Sequence, residues 1–123
     1  MNEPIFNYDD LSDTLTISFC PGESATGIEL NDHILLRINK QMRYAVSLFF
    51  FDYSILAQKT EAGLRSLPLT GLEELPDDLR EIVLEILLQK PLSDILSVST
   101  YTPSLSESFL IATIHDTVLM APA

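Results

Sequence analysis

The sequence predicts an α+β fold, with an antiparallel β-meander of about five strands followed by two helices and C-terminal strands. In the first half, short segments alternate apolar and polar residues, which is typical of half-buried strands, and turn-forming residues separate them. In the second half, residues 76–90 carry apolar side chains at the spacing of an amphipathic helix. The 123 residues fit a single domain, 1–123, with a meander and first helix in 5–57 and a helix with C-terminal strands in 64–123.

Five predicted strands make up the meander. The second is the clearest, because Leu15, Ile17 and Phe19 alternate with threonine and serine. Residues 9–13 before it are a predicted turn, since aspartate and serine side chains bond nearby backbone N–H groups and compete with strand pairing. Residues 31–32 are a predicted hairpin turn, because asparagine and aspartate tolerate positive φ. The predicted strands cover residues 5–8, 14–19, 27–30, 33–38 and 45–51.

The fifth strand is apolar on both faces. Val46, Leu48 and Phe50 are expected on one face, and Phe49 and Phe51 on the other. A strand of this kind is usually covered on both sides. We therefore expect one face of the sheet to pack on a helix. The other face is expected to be covered later in the chain or by a second subunit.

The first helix is predicted directly after the meander. Asp52 or Ser54 can cap its start, and Gly63 is placed to stop a helix that ends near residues 58–61. Residues 64–75 contain proline and glycine and are predicted to be a linker.

The second helix has the strongest sequence signals. Pro76 is expected at its first position, two aspartates occupy its positive first turn, and Pro91 prevents its continuation. Two further strands are predicted near 95–101 and 109–114. The apolar stripe of the helix consists of Leu79, Ile82, Val83, Ile86 and Leu87.

The chain is strongly acidic, with a formal net charge of −11. An acidic surface repels phosphate backbones and anionic lipids, so we expect neither nucleic-acid nor membrane binding. A basic protein partner or a cation is compatible with this charge, and so is an acidity that only keeps the protein soluble.

Cys20 is the only cysteine, which excludes a disulfide within the chain and suits a reducing compartment. The first residues lack the basic and apolar regions of a signal peptide, and no apolar run approaches the roughly 20 residues that span a bilayer. The expected location is therefore the cytoplasm.

Few residues have the spacing that chemistry requires. Asp9, Asp10 and Asp13 cluster in a turn, where they either form Asx-type hydrogen bonds or supply part of a cation site. His33 and His115 lack further ligands at zinc spacing, and Cys20 has no basic neighbour that would activate it. The sequence contains no Gly-x-Ser-x-Gly elbow and no glycine-rich phosphate loop. We predict no catalytic residues, no metal site, no cofactor and no enzyme activity.

The feature that points most directly to function is an excess of apolar side chains. They either complete the core or form an interface with a subunit or partner, because exposed apolar patches on soluble proteins mark contact sites. The candidate interface residues are Leu35, Phe49, Phe51, Leu84 and Leu88.

Residues 5–57 resemble a family of small prokaryotic proteins that are grouped as a domain of unknown function. The resemblance rests on a tyrosine–aspartate turn, a strand of the type Asp-x-Leu-x-Ile-x-Phe, a Glu-Leu-x-Asp segment and a closing strand that ends in a small or acidic turn. In this chain these are Tyr8-Asp9, Asp13 with Leu15, Ile17 and Phe19, Glu29-Leu30-Asn31-Asp32, and Phe51-Asp52-Tyr53-Ser54. The bulky Phe49-Phe50-Phe51 run departs from the family pattern.

The second half resembles an extension of longer relatives, with a Leu-Pro-x-x-Leu-Arg helix start at residues 75–80 and a serine-rich strand at 97–101. The resemblance implies a fold and no activity. Some members of the family look like neighbours of toxin-type proteins, which implies an antitoxin-like role as one option.

Three functions are therefore kept as hypotheses. The first is a non-enzymatic protein-interaction module that forms a homodimer. The second is an acidic, antitoxin-like or regulatory partner of a basic protein. The third is a domain that binds a small ligand or a cation between its sheet and helix.

Overall fold

The computed structural model describes residues 3–57 and 66–115. The first half forms one antiparallel five-stranded sheet, and helices and further strands follow it, which confirms the predicted α+β class. The strand order is β1-β2-β5-β4-β3, so β2 pairs with β5, and the connection after β2 leads to the far edge of the sheet. The strands are β1 (Ile5–Asp9), β2 (Thr14–Ser18), β3 (Thr26–Asn31), β4 (Ile34–Asn39) and β5 (Tyr44–Phe51).

The second half adds short helices and a second sheet. A single-turn helix α1 (Tyr53–Leu56) follows the first sheet, and α2 (Asp77–Leu88) is the long helix that the apolar stripe predicted. The three-stranded sheet has the order β6-β8-β7, with all pairs antiparallel. Its strands are β6 (Ser66–Pro68), β7 (Leu96–Ser104) and β8 (Glu107–Ile114). Among the described residues, no helix is both long and apolar enough to cross a bilayer.

The core lies between the inner face of the first sheet and the second half of the chain. Leu15, Ile17, Leu48 and Phe50 face inward from neighbouring strands β2 and β5 and are almost inaccessible to solvent. Every buried hydrophobic residue that the described second half contributes belongs to the same cluster. The helix contributes Val83, Ile86 and Leu87, and the second sheet contributes Leu67, Leu96, Ala112 and Ile114. The inner face is therefore covered by the chain itself.

A β-bulge changes the predicted face of one residue. Ser47 opposes Arg37 and Ala45 opposes Ile38, so Val46 is an extra residue in β5. Because of this extra residue, Ala45 joins the core cluster together with Leu48, and Val46 is buried outside that cluster. The prediction that Val46 shares a face with Leu48 and Phe50 was wrong.

The predicted linker over 64–75 was also wrong in part. Residues Ser66–Pro68 form β6, which pairs with β8 at the edge of the second sheet, and Leu67 and Leu69 are buried on either side of Pro68. Proline is tolerated in an edge strand because it needs no ladder hydrogen bond there. A 3₁₀ turn, Thr70–Glu74, leads on to α2.

Several turn and cap predictions need correction. The hairpin turn falls at residues 32–33, because the Asn31 side-chain oxygen accepts the His33 backbone N–H at 2.8 Å. Asp52 precedes α1 in a left-handed conformation, φ 57°, and makes no side-chain cap, since its carboxylate pairs with His33. Pro76 directly precedes α2 instead of occupying its first position. Gly63, the predicted stop of the first helix, lies outside the described residues.

Candidate interaction surfaces

The aspartate turn between β1 and β2 is held by its own hydrogen bonds. One carboxylate oxygen of Asp9 accepts the backbone N–H of Leu11 at 3.1 Å, and the other accepts the Ser12 hydroxyl at 3.0 Å. These are the Asx-type bonds that the sequence suggested. Within residues 3–57 and 66–115, no group of three or more histidine, cysteine, aspartate or glutamate residues is arranged to hold a metal ion.

Asp13 ties this turn to the start of α1. Its carboxylate accepts the Tyr8 phenol at 2.7 Å, the Ser54 hydroxyl at 2.7 Å and the Ser54 backbone N–H at 3.0 Å. Its backbone carbonyl accepts the N–H of Tyr53 at 2.9 Å. The hydrogen bond from Tyr8, followed by those from Ser54, lowers the pKa of the Asp13 carboxyl. The same bond raises the pKa of the Tyr8 phenol to about 12. Asp13 therefore joins the turn between β1 and β2 to the start of α1.

The two histidines take part in separate, exposed pairs. His33 Nδ1 lies 3.1 Å from a carboxylate oxygen of Asp52, with both side chains about half exposed. His115 Nε2 lies 2.5 Å from the Ser97 hydroxyl across the second sheet. No pattern in the sequence indicated the second pair, because the two residues are 18 positions apart. Exposed pairs of this kind contribute little to stability.

Cys20 is partly buried beside the core. Burial, and then the nearby Glu23 carboxylate, raise the pKa of its thiol. The thiol therefore stays protonated near neutral pH, whereas the thiolate is the reactive form.

Three of the five predicted interface residues meet on the outer face of the first sheet. Phe49 in β5 pairs directly with Leu35 in β4 and with Thr16 in β2. The rings of Phe49 and Phe51 are stacked, with centroids 6.2 Å apart. Leu35, Phe49 and Phe51 are each partly buried, and we call these three residues the outer sheet surface.

The other two predicted interface residues lie on α2, whose buried side chains face the opposite side of the sheet. Leu84 packs against the core cluster, so it belongs to the interior more than to a contact surface. Leu88 ends the helix and is 66% exposed. The five residues therefore do not form one surface.

The second sheet carries an apolar surface that sequence reasoning missed. Tyr101 and Phe109 are cross-strand partners, with ring centroids 5.3 Å apart in an edge-to-face arrangement. With Pro68 and Ile111 they line a shallow cavity of about 320 Å³. We call these four residues the aromatic patch. The signal was present in the sequence, because Tyr101, Phe109 and Ile111 alternate with polar or core-facing residues along their strands.

A small polar cavity lies where the 3₁₀ turn meets β3. It has a volume of about 140 Å³, and three acidic residues, Glu29, Asp32 and Glu74, are among those that line it. The chain packs closely here, because a Cβ atom built at Gly71 would lie 1.8 Å from the carbonyl oxygen of Glu29. Glycine is therefore required at this contact.

Comparison with known proteins finds no match for this chain among family models, curated proteins or solved structures. The resemblance of residues 5–57 to the domain-of-unknown-function family stays a prediction.

Proposed function

We propose that this protein is a non-enzymatic protein-interaction module that self-associates as a homodimer. The observation that carries the interaction role is the outer sheet surface. Phe49 and Phe51 are two large aromatic residues on the face opposite the core, and all buried hydrophobic residues of the described second half lie on the inner face. Apolar side chains placed outside a filled core favour contact with another protein.

The proposal of a non-enzymatic role is supported by what the candidate groups do. Asp9 accepts hydrogen bonds within its turn, and Asp13 accepts hydrogen bonds from the start of α1. Burial disfavours the thiolate of Cys20. The Ser97–His115 pair lies on an open strand surface, outside the cavities described above. A hydrolytic site also needs an enclosed position where donors can stabilise developing charge.

Self-association is tested by sedimentation velocity over a concentration series. We expect a dimer at tens of micromolar, whereas a monomer across that range would contradict the homodimer. Phe49→Ser in the same experiment shows whether the outer sheet surface contacts the second copy. Thr16→Ser, at the neighbouring position of β2, is the matched control because it changes the same face without removing an aromatic ring.

We propose, as a second candidate, that the protein binds a basic protein. The net charge of −11 and the cavity lined by Glu29, Asp32 and Glu74 favour this partner. The test is purification of the tagged chain at native expression level from its own host, at low and at high salt. We expect one stoichiometric basic protein that dissociates as salt rises. Recovery of the chain alone at low salt would contradict this candidate.

A further inference from the structure

One edge of the strand β7 has no pairing strand in residues 3–57 and 66–115. In the second sheet β8 lies in the middle, and among the described residues β7 pairs with β8 alone. It spans nine residues, and from Ser99 to Ser104 each of them is exposed. One row of its backbone N–H and C=O groups is therefore available to another strand.

This edge is uncharged in a highly charged chain. Residues 95–106 contain no lysine, arginine, aspartate or glutamate, although the whole chain has 18 acidic and seven basic residues. Soluble proteins usually protect an open edge with charges, prolines or bulges. Here Pro103 and an irregular register between Tyr101 and Ser104 protect only the end near the hairpin. Residues 96–102 remain able to pair.

We propose that β7 pairs antiparallel with β7 of a second copy about a two-fold axis. This proposal rests on the homodimer proposed above and names its contact. The two sheets then join into one six-stranded sheet, with the order β6-β8-β7-β7-β8-β6. A two-fold contact uses the same patch on both subunits, and an antiparallel strand can pair with itself in this way.

The choice of a second copy as the occupant follows from charge. Each copy carries −11, so two copies repel one another at most orientations. The uncharged edge brings two backbones together without opposing carboxylates. A basic partner, in contrast, would gain no charge pairing from an edge without acidic groups.

The outer sheet surface is less suited to this contact. Its three apolar residues are only partly exposed. They are bordered by charged side chains, since Glu29 pairs with Leu35 across β3 and β4, and Arg37 bonds the Ser47 hydroxyl at 3.3 Å. Two copies meeting there would bury those charges. Dimerisation through β7 instead leaves the outer sheet surface of both copies open to a different protein.

The test substitutes lysine at two adjacent exposed positions of the edge, Ser99→Lys with Thr100→Lys, and compares it with Ser99→Asn with Thr100→Asn. Both pairs of changes keep polar side chains on an exposed strand, and circular dichroism checks that each variant folds. We place the two-fold axis at the middle of residues 96–102, near Ser99, where the added ammonium groups of the two copies lie close together. We therefore expect the dimer dissociation constant to rise about ten-fold or more. The asparagine control should stay near the wild-type value.

The direction of the effect separates local from general electrostatics. Two added lysines reduce the net negative charge of each copy, so a general effect would tighten the dimer. A weaker dimer therefore supports pairing at the edge. If the lysine variant dimerises as tightly as wild type, or more tightly, the β7 contact is overturned. If Phe49→Ser dissociates that dimer, the homodimer stands with the outer sheet surface as its contact. A monomeric wild type would instead contradict the proposed function itself.

Hydrogen exchange gives a second measurement that needs no substitution. Peptides covering residues 96–102 are compared at concentrations below and above the dimer dissociation constant. We expect their amides to gain protection in the dimer, with little change in peptides of the outer sheet surface. Equal exchange of residues 96–102 in monomer and dimer would overturn the proposed contact.

Discussion

The two sheets of this protein have similar alternating sequences but differ in how much of each sheet is buried. In the first sheet, inward residues such as Ile17 and Phe50 are fully buried, and the turns are fixed by side-chain hydrogen bonds at Asp9 and Asp13. In the second sheet, only the part next to α2 is buried, and the hairpin at residues 99–108 is exposed throughout. Alternation thus predicts a strand, whereas burial depends on whether another layer lies against it. The first sheet is a scaffold, and the second extends an uncharged edge away from it.

The sharpest check on this comparison uses two adjacent phenylalanines of β5. Phe50→Ala should lower the free energy of unfolding by about 3–5 kcal/mol, because it opens a cavity in a full core. Phe49→Ala on the outer face should cost about 1 kcal/mol. Urea unfolding, followed at a protein concentration where both variants have the same association state, measures the two values. Equal losses would mean that the outer face is covered as tightly as the inner one.

The junction between the two halves is tested at Gly71. Gly71→Ala should lower the free energy of unfolding by about 1–3 kcal/mol, since the new Cβ cannot fit 1.8 Å from the Glu29 carbonyl oxygen and the backbone must shift. Gly27→Ala in β3 is the matched control, because its Cβ would meet only a leucine methyl at 3.6 Å. We expect the control to unfold at nearly the wild-type denaturant concentration. A similar loss in both variants would rule out the close approach as the cause.

The hydrogen bonds to the Asp13 carboxylate should make the stability of the protein depend on pH in a predictable direction. The folded-state pKa of Asp13 is lowered, so its stabilisation is complete above the unfolded-state pKa and is lost as pH falls through the folded-state pKa. Asp13→Asn keeps a residue that tolerates φ 52° and removes the charge. We therefore expect the melting temperature of wild type to exceed that of the variant near neutral pH, and the gap to shrink in acid. A gap that is independent of pH would contradict this role.

The phenol of Tyr8 allows the same hydrogen bond to be tested at alkaline pH. Its pKa is raised from the usual 10.0 to about 12, so the stabilisation is present below pH 10 and is lost as pH rises toward 12. Between those values the wild-type melting temperature should fall more steeply than that of Tyr8→Phe. Hydrogen bonding to Glu23 also raises the pKa of Tyr44, and burial raises that of Tyr53, so ultraviolet titration of the phenols should show one fewer late-titrating tyrosine in Tyr8→Phe than in wild type. If the melting temperatures of wild type and Tyr8→Phe change in parallel with pH, the Tyr8–Asp13 hydrogen bond does not contribute to stability.

The smallest effect is expected at the tip of the second sheet. Leu105 is fully exposed in the turn between β7 and β8, so Leu105→Asn should change the free energy of unfolding by no more than about 0.5 kcal/mol. Urea unfolding measures it, with sedimentation velocity as a check on dimerisation. A larger loss would show that the hairpin tip is packed against another surface, and the contrast between the two sheets would then be weaker than described.

Much of the fold could be predicted because period-two alternation and helix spacing are local. Leu15, Ile17 and Phe50 were all placed correctly on buried faces from this pattern, and α2 from its apolar stripe and flanking prolines. The pattern failed at Val46, because an extra residue in β5 shifts the alternation, and a bulge has no clear signal in the sequence. It also failed at β6, whose three residues pair only because β8 is present beside them.

The candidate surfaces were predictable only in part. Phe49 and Phe51 were found as an apolar excess on the wrong face of a strand, and the structure brings them together with Leu35. The separation of Leu84 and Leu88 from them depends on which face of the sheet the helix covers.

By itself the sequence determined the fold class, the strands with clear alternation, the long helix and the acidic character of the chain. Each of these follows from side chains near one another in sequence. Tertiary structure alone decided the order β1-β2-β5-β4-β3, the hydrogen bonds from Ser54 to Asp13 and the edge of β7 that no other described strand pairs with. These features depend on which segments, far apart in the chain, come into contact. Their formation depends on the free energy of packing whole layers, which no local pattern encodes.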